Sequence, residues 1–250
     1  MTNNNMIFVA NWKMHGNFND ISKVKTVLNL IKNKKYKMIK IIYCPPFTLL
    51  KSFSNYFNNT KLNVGAQNCY YKSDYGPYTG NVNAKLIKSA GAKYIILGHS
   101  ENRNEGETDL LINHKIKSVL KEKLSVIFCI GETIQEKKKK NTFQVLKRQI
   151  SKGLKGIKNI NKIIIAYEPV WSIGSGIVPS RNELEKNIQN IKKILNQFKF
   201  KNSVKILYGG SVNSKNANEI SKIDGIGGLL VGGASLNSKK FVDIIKKTSN

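Results

Sequence analysis

The sequence has 250 residues, of which 40% are hydrophobic, so the chain can bury the core of one large α/β domain or of two smaller domains. No charged-then-apolar leader opens it, and no apolar run reaches the roughly 18 residues of a membrane span, so we expect a cytoplasmic protein. The three scattered cysteines, Cys44, Cys69 and Cys129, lack the spacing of a zinc site or the density of a disulfide framework, so we expect reduced thiols and no metal.

The formal net charge of +27 is carried mainly by lysine, since only three of the 42 basic residues are arginine. Nucleic-acid-binding proteins favour arginine for bidentate contacts to phosphates and base edges, and here the lysines are spread along the whole chain. The charge therefore indicates a compositional bias expressed on solvated faces, including the lysine-rich runs at 32–40 and 137–140. We expect no specific nucleic-acid partner, although weak, salt-sensitive binding of polyanions is an alternative.

Eight short segments rich in β-branched and apolar residues recur along the chain and predict strands. In chain order they are 6–12, 39–45, 62–68, 93–99, 125–131, 162–168, 204–210 and 225–233. Most of the intervals carry polar segments with helical spacing, such as 180–198, where one apolar stripe comprises Leu184, Ile188, Ile191 and Leu195. Apolar strands alternating with amphipathic helices predict a parallel sheet covered by helices. Eight such units favour a closed (β/α)8 barrel formed by a single domain over 1–250; a doubly wound open sheet is the alternative.

Polar residues and glycines stand where the predicted strands end. Asn11 and Lys13 follow the first strand, His99 ends the fourth and Glu168 ends the sixth. Glycine-rich turns follow the last two strands, at 209–211 and 232–233. Because the carboxyl ends of the strands form the active-site face of such a barrel, we expect these residues to converge at one mouth.

These residue types suit acid–base chemistry on a phosphorylated substrate. The glycine-rich turns let backbone N–H groups approach a phosphate, and burial moves the pKa of a strand-end carboxylate such as Glu168 toward that of a general base. Taken singly, each feature has a structural explanation: glycines make tight turns, a rim glutamate is often salt-bridged, His99 can be a structural histidine and Lys13 is one of many lysines. Their coincidence at the predicted strand ends favours a catalytic phosphate site.

Six segments also resemble the signature segments of the triosephosphate isomerase family, in the same order and across the whole chain. They are ANWKMHG (10–16), GHSENR (98–103), CIGET (129–133), AYEPVWSIGSG (166–176), YGGSV (208–212) and LVGGASL (230–236). The resemblance implies a TIM barrel, a homodimer without a cofactor, and interconversion of dihydroxyacetone phosphate and D-glyceraldehyde 3-phosphate in glycolysis and gluconeogenesis. The alternatives are another phosphate-handling barrel enzyme and a catalytically weakened barrel that binds polyanions through its lysines.

The resemblance also implies roles for individual residues. Glu168 would be the base that moves a proton between adjacent carbons, neutral His99 would polarise the carbonyl, and Lys13 would place a positive charge beside the oxyanion and the phosphate. The residues expected to bind the substrate are Asn11, Lys13, Gly174, Ser211, Gly232 and Gly233. The residues expected to support the site from behind are Glu101, which would hold Lys13, together with Cys129 and Tyr208.

The segment after Glu168 resembles the mobile lid of the family, which folds over the phosphate and excludes water. Its expected residues are Pro169, Val170, Trp171, Ile173, Gly174, Ser175, Gly176, Ile177, Val178 and Pro179. Pro179 stands where the family commonly has alanine, and proline has no N–H to offer the hydroxyl of Tyr208. We therefore expect Tyr208 to lose a hydrogen-bond partner, at a cost of about 0.5–1.5 kcal/mol to the closed lid, with altered lid kinetics but retained activity.

The tyrosine-rich loop at 69–80 is expected to insert into a partner subunit. The expected interface residues are Tyr78, Thr79, Asn81 and Asn102. Asn81 and Asn102 stand where the family usually has a glutamate and an arginine, so both charges of a pair are absent and no buried charge is left unpaired. We therefore expect a retained dimer with an Asn–Asn or water-bridged contact.

Overall fold

A computed structural model describes residues 5–198 and 204–248 of the chain. At its centre are eight parallel strands: β1 (Ile7–Asn11), β2 (Lys40–Cys44), β3 (Asn63–Ala66), β4 (Tyr94–Leu97), β5 (Ser125–Ile130), β6 (Ile163–Tyr167), β7 (Lys205–Tyr208) and β8 (Ile226–Val231). Each strand pairs with the next, and β8 pairs with β1. The sheet is therefore a closed barrel, which confirms the predicted (β/α)8 fold and excludes the open sheet.

Helices connect the strands and cover the outside of the barrel. The α-helices are α1 (Lys25–Ile31), α2 (Leu50–Tyr56), α3 (Ala84–Ser89), α4 (Ser100–Asn104), α5 (Asp109–Lys121), α6 (Ile134–Lys138), α7 (Thr142–Gly153), α8 (Arg181–Asn196), α9 (Ala217–Ser221) and α10 (Ser238–Thr248). Short 3-10 turns occupy Phe18–Val24, Lys34–Tyr36, Phe47–Leu49, Val170–Ser172 and Gly233–Leu236. The predicted helix at 180–198 corresponds to α8, and the Ser180 hydroxyl caps its start by accepting the backbone N–H of Glu183.

The strands are apolar throughout because both of their faces are buried. Along β1, Ile7 and Val9 belong to the cluster inside the barrel, whereas Phe8 and Ala10 pack in the layer between barrel and helices. The apolar stripe predicted on α8 lies in the same outer layer. This alternation, with a period of two residues, is what a sheet buried on both sides requires.

The last strand can close the barrel because it carries glycine at the point of closest approach. Gly228 is paired with Ile7 of β1, and a Cβ added to Gly228 would lie 2.0 Å from the Ile7 carbonyl oxygen. Any side chain there would push β8 away from β1, so glycine is required at this position.

Two further findings concern the described residues 5–198 and 204–248. None of their helices is both long and apolar enough to cross a membrane. Among the same residues, no group of three or more His, Cys, Asp or Glu side chains is arranged to hold a metal ion.

Candidate active site

The carboxyl ends of the strands surround a cavity of about 300 Å³. All six residues predicted to bind the substrate line it: Asn11, Lys13, Gly174, Ser211, Gly232 and Gly233. His99 lines it as well, whereas Glu168 does not. The barrel therefore brings the predicted strand-end residues to one mouth, with the glutamate set behind the cavity wall.

Glu168 is a buried carboxylate, only 1% exposed, directly after β6. Its Oε1 accepts a hydrogen bond of 2.8 Å from the backbone N–H of Ser100. Its Oε2 lies 3.4 Å from Nε2 of His99 and has no hydrogen-bond partner. Burial raises the pKa of Glu168 above the ordinary value of a glutamate, which makes the carboxylate a stronger base than a solvated one.

Two glycines that directly follow the neighbouring strands β5 and β7, Gly131 and Gly209, pack against Glu168. The carbonyl of Glu168 packs so tightly on Gly131 that a Cβ added there would lie 2.0 Å from the carbonyl oxygen. On the other side, a Cβ at Gly209 would lie 3.2 Å from the Cβ of Glu168. The end of strand β6 is held between these neighbours, so the backbone position of Glu168 is fixed by packing.

The imidazole of His99 is oriented by the helix that follows it. His99 is the residue before α4, and its Nδ1 accepts the backbone N–H of Glu101 at 3.3 Å. A nitrogen that accepts a hydrogen bond carries no proton, so a neutral ring carries its proton on Nε2, the nitrogen nearest Glu168. The Nε2–H of a neutral ring thus faces Oε2 of Glu168, and His99 itself lines the cavity.

Lys13 is held in an uncommon backbone conformation. Its φ of +53° lies in the left-handed region, and its N–H donates to Oδ1 of Asn11 at 3.1 Å. The side-chain amide of Gln67 donates to the carbonyl of Lys13 at 2.8 Å. The ammonium group bonds to Oε1 of Glu101 at 2.7 Å, the contact expected from the sequence. Strain of this kind persists where the surroundings fix the residue, and it is frequent at functional sites.

Cys129 is fully buried in β5 and lies close to Glu168. Burial, followed by the nearby charge of Glu168, raises the pKa of the Cys129 thiol well above its ordinary value. Its carbonyl accepts from Nη2 of Arg103 at 3.3 Å. The thiol is therefore neutral and is a packing neighbour of the carboxylate.

The first hinge of the predicted lid, Pro169 to Trp171, is anchored to a buried glutamate that the sequence analysis did not single out. Nε1 of Trp171 donates to Oε1 of Glu132 at 2.8 Å, and the hydroxyl of Tyr167 donates to Oε2 at 3.1 Å. Burial raises the pKa of Glu132. The ammonium group of Lys137 lies 3.5 Å from the centre of the Trp171 ring. The sequence signal that could have identified Glu132 is its position near the end of β5, within the CIGET segment.

The Tyr208 hydroxyl has no N–H partner at Pro179, as expected, but it does have another hydrogen-bond partner. The Tyr208 hydroxyl lies 3.0 Å from the hydroxyl oxygen of Ser172, a residue that the sequence analysis left out of the lid. Burial raises the pKa of Tyr208 to about 12, so the hydroxyl keeps its proton. Pro179 is buried and offers no N–H, but Ser172, five residues after β6, ends the hinge turn within reach of the hydroxyl. Only the folded loop shows this, because a serine in a hinge has no distinctive sequence pattern.

The two glycines of the lid have open space around them. Gly174 and Gly176 have φ of +68° and +75°, and a Cβ at either would meet nothing within 4 Å. The N–H of Gly176 donates to Oγ of Ser211 at 3.1 Å. Ile173, Ser175, Ile177 and Val178 are exposed or half-buried. The tip of the lid therefore contacts the loop after β7 mainly through Ser211.

The predicted interface residues lie on the surface. Tyr78 packs on Tyr70 with ring centres 5.2 Å apart, and Lys72 donates to its hydroxyl at 2.6 Å. Thr79 and Asn81 are exposed, and Asn102 is half-buried. The base of the loop is fixed by a cluster in which Nδ2 of Asn68 donates to Glu107, and Nζ of Lys115 bonds to both.

Comparison with known proteins gives one family. The family model described as triosephosphate isomerase matches residues 6–248. A triosephosphate isomerase of Alkaliphilus oremlandii is 38% identical over 247 residues, covering 96% of this chain and 98% of that protein. That of Thermodesulfovibrio yellowstonii is 40% identical over 242 residues, covering 95% and 97%. The crystal structure of triosephosphate isomerase from Bartonella henselae matches with a TM-score of 0.88 at 30% identity, covering 98% of this chain and 100% of that one.

Proposed function

The chain belongs to the triosephosphate isomerase family and interconverts dihydroxyacetone phosphate and D-glyceraldehyde 3-phosphate, and we propose that Glu168, His99 and Lys13 carry out this reaction at the mouth of the barrel. The observation that supports the assignment is that Lys13 and His99 line one cavity at the strand ends, while Oε2 of Glu168 lies 3.4 Å from Nε2 of His99. The reaction moves one proton between adjacent carbons and passes through an enediol or enediolate.

Glu168 takes and returns the carbon-bound proton. Its burial raises its pKa, which improves its match to a weakly acidic carbon. In this structure its Oε1 is occupied by the N–H of Ser100, and the residue does not line the cavity. The carboxylate therefore has to leave Ser100 and turn toward the substrate, and Oε2, which has no hydrogen-bond partner, is the oxygen that is free to do so.

His99 and Lys13 stabilise the charge that develops on the substrate oxygen. The Nε2–H of neutral His99 donates to the carbonyl oxygen, and the ammonium of Lys13 supplies a fixed positive charge on the same side of the cavity. Glu101 contacts both residues, since its backbone N–H binds Nδ1 of His99 and its carboxylate binds Lys13. One residue thus sets the orientation of the electrophile and of the cation.

The phosphate is held at the far side of the cavity by Gly174, Ser211, Gly232 and Gly233. Gly233 begins a 3-10 turn, and a Cβ added to it would meet nothing within 4 Å, so a phosphate has room to approach the backbone. Lys13 reaches the same corner, because a Cβ at Gly232 would lie 3.5 Å from its Cε. The lid then excludes water and suppresses loss of phosphate from the enediolate.

The test of the catalytic base is kcat/KM for D-glyceraldehyde 3-phosphate, measured for the wild type beside Glu168→Asp. Shortening the side chain withdraws the carboxylate by about 1 Å or more, and a misplacement of that size can lower the rate about 100-fold. Glu219→Asp, at an exposed glutamate of α9, is the matched control and should behave as the wild type. An active Glu168→Asp variant would remove Glu168 from this role.

We also propose a homodimer in which Tyr78, Thr79, Asn81 and Asn102 contact the partner subunit. Its support is the exposed loop at 69–80 and Met14, which is 94% exposed beside the catalytic Lys13. A partner surface that covered Met14 would remove its apolar side chain from water. Sedimentation at micromolar concentration should give the mass of two chains; a single chain would contradict the proposal.

We also propose that the protein is cytoplasmic and that residues 1–250 form a single domain. A single domain should unfold in one cooperative transition, which thermal unfolding measures.

A further inference from the structure

The side-chain hydroxyl of Ser172 is the meeting point of four parts of the site. Its Oγ lies 2.5 Å from the carbonyl oxygen of Ile177, on the far side of the lid. It lies 3.0 Å from the hydroxyl of Tyr208, at the end of β7, and 3.3 Å from the backbone nitrogen of Ser211. Ser172 itself ends the turn of the first hinge and is completely buried.

The hydrogen-bonding capacity of one hydroxyl determines the direction of each bond. A serine hydroxyl has one proton and two acceptor sites. A carbonyl can only accept, so the proton of Ser172 goes to Ile177. The Ser211 N–H can only donate, which leaves the second acceptor site for the Tyr208 hydroxyl as donor. Every site on the Ser172 oxygen is therefore used, which is what a buried hydroxyl requires.

The loop after β7 is shaped to accept this arrangement. Ser211 returns the contact, because its Oγ donates to the carbonyl of Ser172 at 2.6 Å and accepts from the N–H of Gly176. A Cβ added to Gly210 would lie 2.3 Å from the Tyr208 hydroxyl oxygen and 2.6 Å from Oγ of Ser172. Glycine at position 210 thus leaves the space in which the two hydroxyls meet.

We propose that the Ser172 side chain is a positioning residue that fastens the lid of this enzyme over the phosphate site. Pro179 lies in the second hinge of the lid, at residues 177–179. It has no N–H, so the backbone there cannot donate to the Tyr208 hydroxyl, and Ser172 supplies the partner instead. The hydroxyl joins both ends of the lid, through Ser172 and Ile177, to β7 and its loop. This inference rests on the proposed function, because it concerns the lid of that same site.

The test is Ser172→Ala, with two readouts: kcat/KM for D-glyceraldehyde 3-phosphate, and the fraction of turnovers that release inorganic phosphate. Losing a net hydrogen bond changes an equilibrium about 3- to 10-fold, so we expect kcat/KM to fall by that factor. We expect the fraction releasing phosphate to rise, because an unfastened lid admits water to the enediolate. A role in folding alone would not move this fraction.

Two further variants make the result specific. Tyr208→Phe removes the other hydroxyl, and the double variant with Ser172→Ala should lose less than the product of the two single effects, because both remove one shared contact. Ser118→Ala is the matched control: its hydroxyl is also buried, but it has no hydrogen-bond partner, so its removal should change neither readout.

The outcomes separate this inference from the proposed function. Ser172→Ala and Tyr208→Phe that both match the wild type in kcat/KM and in phosphate release would overturn the role of Ser172 while leaving the isomerase site intact. A Glu168→Asp variant as active as the wild type would overturn the proposed catalytic site instead. If Ser172→Ala did not fold, Tyr208→Phe with unchanged phosphate release would still contradict the inference.

Discussion

The carboxylate of Glu168 and the imidazole of His99 face each other across 3.4 Å, with no hydrogen bond to Oε2 of the glutamate. The other oxygen, Oε1, is bound by the N–H of Ser100 in the first turn of α4. The proposed base is thus kept buried, close to the proposed electrophile, and held by a single hydrogen bond from the Ser100 N–H. Burial that strengthens a base also destabilises the folded protein wherever the carboxylate is ionised, and this relationship can be measured.

Glu168→Gln should make the protein more stable at neutral pH. The folded-state pKa of Glu168 is raised by burial, so between the unfolded and folded pKa values the folded protein binds more protons than the unfolded one. The stability contributed by the protonated carboxyl is present below the unfolded pKa and is lost as pH rises through the folded pKa. We expect the gain in melting temperature of Glu168→Gln at pH 7, at about 2–4 °C per kcal/mol, to shrink as pH falls toward 4. An equal gain at both pH values would contradict this account.

Glu101→Gln should lower activity without lowering stability. The Lys13–Glu101 pair is partly exposed, with side chains 28% and 53% accessible, so its contribution to stability is about 0.2–1 kcal/mol or less. We expect the pair to matter more for activity than for stability, because it directs the ammonium group of Lys13 toward the cavity. We expect kcat/KM to fall about 3- to 10-fold, the effect of losing one hydrogen bond, with an almost unchanged melting temperature. Glu185→Gln, in a surface pair on α8, is the control.

Trp171→Phe should lower stability and loosen the first hinge. It removes the Nε1–H that donates to buried Glu132, which then keeps only the Tyr167 hydroxyl among these donors. Leaving a buried acceptor less satisfied costs about 1–3 kcal/mol, which corresponds to a fall in melting temperature of several degrees. It also removes the indole face on which Lys137 lies. Thermal unfolding measures the first effect, and a raised KM reports the second; an unchanged melting temperature would mean that water replaces the indole donor.

Pro179→Ala should change kcat and KM less than Ser172→Ala does. Alanine restores an N–H and some freedom at the second hinge, but the Tyr208 hydroxyl already has Ser172 as its partner. We expect kcat and KM to change by less than about 3-fold, below the effect of one net hydrogen bond at full strength. A larger effect of Pro179→Ala than of Ser172→Ala would show that proline, and not the hydroxyl contact, dominates the behaviour of the lid.

The sequence by itself determined the barrel and the strand ends at which the proposed catalytic side chains lie. A strand buried on both faces has to be apolar over its length, so the eight segments are visible as apolar runs, and each contains one observed strand. Because parallel strands in a barrel end on one face, residues at strand ends such as Asn11, His99 and Glu168 had to converge. Both arguments use only local pattern and strand direction.

Apart from the Lys13–Glu101 pair, which the sequence predicted, the contacts that support the site were decided by the tertiary structure. Gln67 reaches Lys13 across 54 residues, Trp171 reaches Glu132 across 39, and Ser172 reaches Tyr208 across 36. None of these contacts follows from periodicity, because each depends on how two loops approach and on which rotamer fits between them. The partner of Tyr208 shows the limit most clearly. Sequence correctly located the missing N–H at Pro179, but only the packing of Gly210 against the hinge showed that a serine hydroxyl takes its place.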